Sequence, residues 1–438
     1  MRRRFPSLAL VAGVLFLGVA RVSGKELLTL TESLQRAANN NPRLLLANKD
    51  FSVAKTQVRQ AQSLYYPKVN LNLDYVRYRN ETVGITSPEL GSVILEAPIA
   101  DNRDSQRGNP LARDLYLGRV GFLQTLYAGG KVTATNRLSQ AGLRRAENVV
   151  ETVRQEVACL TAEHFFRLLA LRKERAVLSS TLVEIDKLSR QTSSAHGRLA
   201  LLSAQAEATK RLSALNQEEE TERLKYLQAM GLELFAEVDV TGELDAAPSV
   251  PDLQTVLVWA KQSRAELKET QIMEELDHLA VELSRAQRYP VFLLGGGVEL
   301  RNDEFPLDET NWNTALSMNI PIFDGFSGYA RVKETRYRAE QGRLRRLQLE
   351  DRVEIEVRTA HGEWNHWNKE VETRRKQHEL VEQLRKKAAE EGASNSLAQR
   401  LDFLRWRAEA NINLIEAQYE LCAAEARLVK AVGRPVKR

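Results

Sequence analysis

Two histidines in the stretch "HGEWNHW", residues 361–367, most invite a chemical reading of this chain. A metal-hydrolase helix needs two histidines four apart, so that both imidazoles project from one face with a carboxylate beside them. His361 and His366 are five apart, which sets them roughly 140° apart around a helix. They read as helix-surface residues, with Trp364 and Trp367 packing beside them. The only two cysteines, Cys159 and Cys422, lie far from any histidine pair. One disulfide is the chemistry open to them in an exported protein. Cys422 also belongs to an apolar stripe through Leu401, Leu404, Ala408, Ile412, Ile415 and Tyr419, where a small hydrophobe suits a helix seam. No nucleophile–base constellation, phosphate loop or Cys–His cluster occurs in the sequence. The reading is therefore of a protein that is not an enzyme and carries no cofactor or metal.

The elements that would position such residues are long helices. Charged residues are 28% of the 438, aromatics only 6%, and twelve prolines leave room for uninterrupted helical runs. Residues 1–24 read as a signal peptide: Arg2, Arg3 and Arg4, then an apolar run from Leu8 to Ala20, then small residues before Lys25, with a second cut possible after Ala20. Removing them takes away four arginines and no acid, so the formal charge falls from +5 to +1. Basicity then argues neither for nucleic acid nor for an anionic surface.

The strongest feature is a duplication. "LYAGG", ending at Gly130, and "IFDGF", ending at Phe326, each close a strand-like run and open a long helix. Tyr66-Pro67 and Tyr289-Pro290 each end a helix and start a strand. The expected organisation is a first repeat over 25–231, a linker over 232–250 and a second repeat over 251–438. Strands are expected at about 68–79, 114–127, 291–301 and 311–323, with helices of about 131–196 and 327–391. A 66-residue helix would be about 100 Å long. The helices flanking each strand pair are expected to stack end to end beside the long one. Residues 80–113, rich in Pro, Gly, Asn and Asp, read as a long loop.

The first and fourth strands alternate cleanly. Val69, Leu71, Leu73 and Tyr75 interleave with Asn70, Asn72 and Asp74. Such alternation over about ten residues fits a transmembrane barrel strand, and a half-buried soluble sheet has the same period. The second and third strands are less regular. Four strands cannot close a barrel, since barrels begin at about eight, so at least two chains must share one.

This layout resembles the TolC-like outer membrane efflux protein family. The likeness rests on "NNNP", the two Tyr-Pro pairs, "LYAGG", "IPIFDGF" and the run from "SLAQRLDFL" to "LVKAVG". It implies a mainly α fold with transmembrane β: four strands per chain in a trimeric twelve-stranded β-barrel, continued by a periplasmic α-helical barrel. It implies an exit duct in the outer membrane of a Gram-negative bacterium, part of a tripartite efflux pump or a type I secretion system. Its partners would be a periplasmic adaptor and, through it, an inner-membrane pump or ABC transporter. The competing reading is a periplasmic coiled-coil adaptor or scaffold. By the same likeness, Asp402 falls at an acidic position of the periplasmic gate, and Gln399 where a second acid is often found. Gly129, Gly130 and Gly325 would be strand-to-helix junctions, and Pro67 and Pro290 helix-to-strand junctions.

Overall fold

The computed structural model describes residues 26–77, 114–192, 194–244, 250–302, 309–390 and 396–434. The expected signal peptide and the loop expected at 80–113 lie outside the described residues.

The chain begins with strand β1 (Glu26–Leu28), then helices α1 (Leu30–Asn40) and α2 (Pro42–Ser63). Thr29 and Glu32 form a reciprocal capping box that fixes the start of α1. Pro42 sits in the first turn of α2, where its missing N–H costs nothing, and Asn41 caps that helix. Strands β2 (Lys68–Arg77) and β3 (Asp114–Ala128) lead into α3 (Lys131–Gln191), whose 61 residues make it about 90 Å long. α4 (Ala195–Met230) returns beside it. After β4 (Val238–Val240), the pattern recurs as α5 (Leu253–Ser263), α6 (Ala265–Ala286), β5 (Val291–Asn302), β6 (Glu309–Asn319), α7 (Ser327–Glu390) and α8 (Leu397–Val432).

β2, β3, β5 and β6 form one antiparallel sheet in that order, so β2 and β6 are its edges among the described residues. The helices form four columns. α3 packs on α2 and α4 along one side and on α6 and α8 along the other, and α7 packs on α6 and α8. The apolar core runs between the columns. One cluster joins Phe165, Phe166, Leu168, Tyr226, Met230 and Cys422; a second joins Val256, Val357, Trp364, Leu421 and Ala424.

Three expectations need correction. The fourth strand, expected to reach residue 323, ends at Asn319, because Pro321 has no N–H for the ladder and the chain turns at Gly325 and Phe326, both at positive φ. The helix expected to reach 196 stops at Gln191, and Ser194 caps a new one by accepting from the Gly197 N–H. The segment expected as a plain linker holds β4, which pairs in parallel with β1.

Candidate functional site: a two-faced sheet above helical columns

The sheet-to-helix junctions depend on backbone that only glycine adopts freely. Gly129 has φ +60, Gly130 +83 and Gly325 +61. A Cβ on Gly129 would lie 2.4 Å from the Tyr289 Cβ and 2.7 Å from the Ala286 carbonyl oxygen. The turn of the first repeat is thus wedged against the end of α6 in the second. Space around Gly130 and Gly325 is open. On the incoming side, Tyr66 N–H donates to the Ser63 carbonyl and Tyr289 N–H to the Ala286 carbonyl, in matching turns that deliver Pro67 and Pro290 to the first residues of β2 and β5.

Residue pairing across the sheet sorts side chains onto two faces, because neighbours along a strand point to opposite sides. Val69, Leu71, Leu73 and Tyr75 pair with Phe122, Val120, Gly118 and Tyr116. Gly118, Val120, Phe122 and Gln124 continue to Leu300, Val298, Gly296 and Leu294, and these to Thr310, Trp312, Thr314 and Leu316. That face is apolar and open: Leu73 is 73% exposed, Trp312 75% and Leu316 66%. The opposite face carries Asn70, Asn72 and Asp74, then Arg119, Glu299, Asn311, Asn313, Ser317 and Asn319, with Leu117, Leu123, Val291, Leu293 and Ala315 among its apolar members. Asn72, Arg119, Glu299 and Asn311 form one polar row across all four strands. A soluble sheet turns its apolar face to a core; here the helices lie at the strand ends and leave that face uncovered.

The columns are joined the same way twice. The buried Asn41 side chain donates to the Ala229 carbonyl at 2.6 Å, and Gly231 (φ +69) closes on the Asn40 carbonyl. In the second repeat Arg264 Nη1 donates to the Ala431 carbonyl at 3.1 Å, and Gly433 (φ +76) closes on Arg264. Each joint ties the end of the returning helix to the kink between the two short ones, making a pair of stacked helices beside each long helix. Arg264 is only 5% exposed and also holds Glu266 and Glu356. Sequence reasoning missed these joints because Asn and Arg occupy equivalent places; the fixed spacing between copies was the available signal.

At the far end of the columns, Ile185, Leu188, Leu201, Ala204 and Leu401 form a small core. A Leu397 methyl lies 2.7 Å from where a Gly197 Cβ would be, so the two hairpin tips touch. Gln399 completes the cap of α8, its side-chain oxygen accepting from the Ser396 N–H at 3.0 Å. Asp402 is exposed one turn further.

Residues 33–230 match the profile of the outer membrane efflux protein family. The whole fold is similar to solved outer membrane channels. The open state of MtrE from Neisseria gonorrhoeae superposes with a TM-score of 0.76 at 15% identity, covering 93% of this chain and 90% of that one. CmeC of Campylobacter jejuni gives 0.73 at 14%, covering 92% and 85%. VceC of Vibrio cholerae gives 0.72 at 13%, covering 92% and 96%. Residues 33–230 thus match the outer membrane efflux protein family, and the fold is that of TolC-like outer membrane channels. No curated protein matches it in sequence.

Among the described residues no helix is long and apolar enough to cross a membrane. At 361–367, where the sequence reads as surface histidines beside packing tryptophans, Trp364 is buried. His361 Nε2 lies 3.1 Å from the Pro251 carbonyl oxygen and His366 stacks edge-on against Trp367. Cys159 and Cys422 are buried in one apolar cluster and no disulfide joins them. Burial pushes the Cys159 thiol up to about 12. Among the column residues Glu174 stands apart: it is 4% exposed, its Oε1 has no hydrogen bond, and Arg167 Nη1 is 3.7 Å away.

Proposed function

We propose that three copies of this chain form an exit duct through the outer membrane, the outermost part of a tripartite efflux pump or a type I secretion system. The two-faced sheet with two open edges carries the reading. An edge strand facing lipid would leave a row of backbone groups unpaired, each costing several kcal/mol. Pairing β6 of one copy with β2 of the next removes every edge, and three copies make about the smallest comfortable barrel with a polar bore. The helices repeat the argument. Thr335 and Arg346 hold α7 against α6, which leaves Leu344 and Ile355 on roughly the opposite side of α7, 61% and 63% exposed. α2, at the other end of the row, exposes Leu46 and Val53. These two faces suit each other across copies. A coiled-coil adaptor, the competing reading, has no use for an apolar sheet face open to lipid. Cross-linking and native mass measurement in mild detergent are expected to give three chains per particle; monomers alone would refute the duct.

The partners on this reading are a periplasmic adaptor and, through it, an inner-membrane pump or ABC transporter. The hairpin tips form the periplasmic gate. Asp402 supplies one carboxylate per chain to the closed end, where converging charges attract cations at close range. Gln399 contributes by fixing the start of α8 rather than by charge. Single-channel recordings of Asp402→Ala are expected to show weaker cation preference, by about twofold or more, with the trimer intact. Unchanged selectivity would return Asp402 to an ordinary solvated surface charge.

A further inference from the structure

Where β5 and β6 meet their helices, the last turn of α6 and the first turns of α7 enclose an open cleft of about 630 Å³. Arg285 enters it from the last turn of α6, Arg288 from the turn that follows, and Lys333 and Arg336 from α7. Among the described residues none of these four is in an ion pair, whereas some other α7 arginines are matched, Arg346 with Asp277 at 3.1 Å and Arg358 with Glu354 at 2.6 Å among them. Glu340 is the acid that lines the cleft. Asp324, near Arg288, accepts from the Gly328 N–H at 2.6 Å. Four cations therefore face one lining carboxylate.

The cleft also has an apolar side and a defined depth. Tyr289, Tyr329 and Tyr337 line it, and Lys333 Nζ sits 5.8 Å from the Tyr337 ring centre. Just above, Ile322 is 95% exposed, Phe323 76% and Phe326 73%. These residues continue from the apolar sheet face and mark the edge of the hydrocarbon, where barrels place aromatic girdles. Lys333 follows Phe326 by seven residues, so it lies about 10 Å further along the helix axis. Side chains on a helix lean toward its N-terminus, here toward the membrane, so the Lys333 ammonium reaches back to the phospholipid headgroups, which occupy about 5–8 Å on each side of the hydrocarbon core.

We propose that this cleft binds the phosphodiester of an anionic phospholipid in the periplasmic leaflet, its phosphate between Arg288, Lys333 and Arg336 and its glycerol against the tyrosines. Guanidinium groups suit phosphate oxygens through paired N–H donors. The surplus of positive charge favours a headgroup without an amine, since an ethanolamine ammonium would meet cations on both walls. This proposal rests on the membrane placement above.

The test uses the purified full-length protein in nanodiscs of phosphatidylethanolamine with a minor share of phosphatidylglycerol, followed by native mass measurement of retained lipid. Phosphatidylglycerol is expected to be enriched about tenfold over its share. The Arg288→Gln/Lys333→Gln/Arg336→Gln variant is expected to lose that enrichment, while Arg358→Gln keeps it. If the triple variant does not fold, the single Lys333→Gln variant must show at least a threefold loss for the proposal to stand. Equal retention of both lipids, or enrichment unaffected by the substitutions, overturns it. Full displacement by millimolar glycerol phosphate also overturns it, in favour of a soluble-anion site. Failure to enter nanodiscs of any composition would instead overturn the membrane placement itself.

Discussion

Gly129→Ala is expected to destabilise the folded protein by about 3 kcal/mol or more, while Gly130→Ala one residue on costs only about 1 kcal/mol. Both glycines have positive φ, so both substitutions carry the left-handed backbone penalty. They differ in space. The new methyl at 129 would sit 2.4 Å from the Tyr289 Cβ and 2.7 Å from a backbone oxygen, neither of which is the end of a flexible side chain; at 130 it meets nothing within 4 Å. Relief would require α6 to move away from the turn, at the point where the two repeats are wedged together. Gly142→Ala, inside α3 with open space around it, is the control and is expected to stabilise by up to about 1 kcal/mol. Thermal unfolding midpoints in detergent would rank the three. Equal losses at 129 and 130 would show that the wedge has no energetic weight.

Glu174→Gln is expected to stabilise the protein at pH 8 and to do little at pH 5. Burial is the main cause that raises the carboxyl to about 7 from an ordinary 4.5; Arg167 pulls it down, and Glu416 and Glu218 push it up. Between about pH 4.5 and 7 the folded chain holds a proton that the unfolded chain has released. Stability contributed by this group therefore falls as pH rises through that window, and the full penalty is present above pH 7. Its size is on the order of 2–3 kcal/mol. Glutamine removes the penalty and leaves the neutral-state packing. Glu222 shifts the other way, burial being outweighed by His164 and Lys225, so the variant must be compared with wild type at each pH. Unfolding midpoints are the readout. A gain of the same size at pH 5, or a loss at pH 8, would contradict the burial account.

Much of the architecture was legible because it is written twice. Tyr66-Pro67 and Tyr289-Pro290, and the glycines at 129 and 325, announce the same junction in two places, and a recurrence is hard to mistake for chance. The long helices show as stretches without proline. The alternation of β2 and β6 was readable, whereas that of β3 and β5 was diluted by Gly118, Gly121 and Gly295 to Gly297, which have no side chain to declare a face. Here Gly297 pairs with Gly121, and its Cβ would lie 2.5 Å from the Val120 carbonyl oxygen, so close backbone approach explains the residues that hid the pattern. β1 and β4 are three residues each, too short for any period, and their pairing spans more than two hundred positions. The joints at Asn41 and Arg264 were hidden by chemistry: an amide and a guanidinium perform one task, donating to the last carbonyls of a returning helix. At the tip, Gln399 looked like a neutral substitute for a lumen acid, and the signal for its capping bond, the Ser396-x-x-Gln399 spacing, went unused.

The central claim is that the sheet is a barrel wall with water on one face and lipid on the other. Single cysteines at adjacent positions of β6 test it most directly. Cys159 and Cys422 are 5% and 1% exposed, so they contribute little background reaction with a charged, membrane-impermeant thiol reagent. Asn313 lies on the polar face beside Gly297, and Thr314 on the apolar face beside Gly296. In a planar bilayer, Asn313→Cys is expected to react within minutes and lower the single-channel current, while Thr314→Cys stays unreactive with its current unchanged. Equal reactivity at the two positions, or reaction at 314 alone, would contradict the duct.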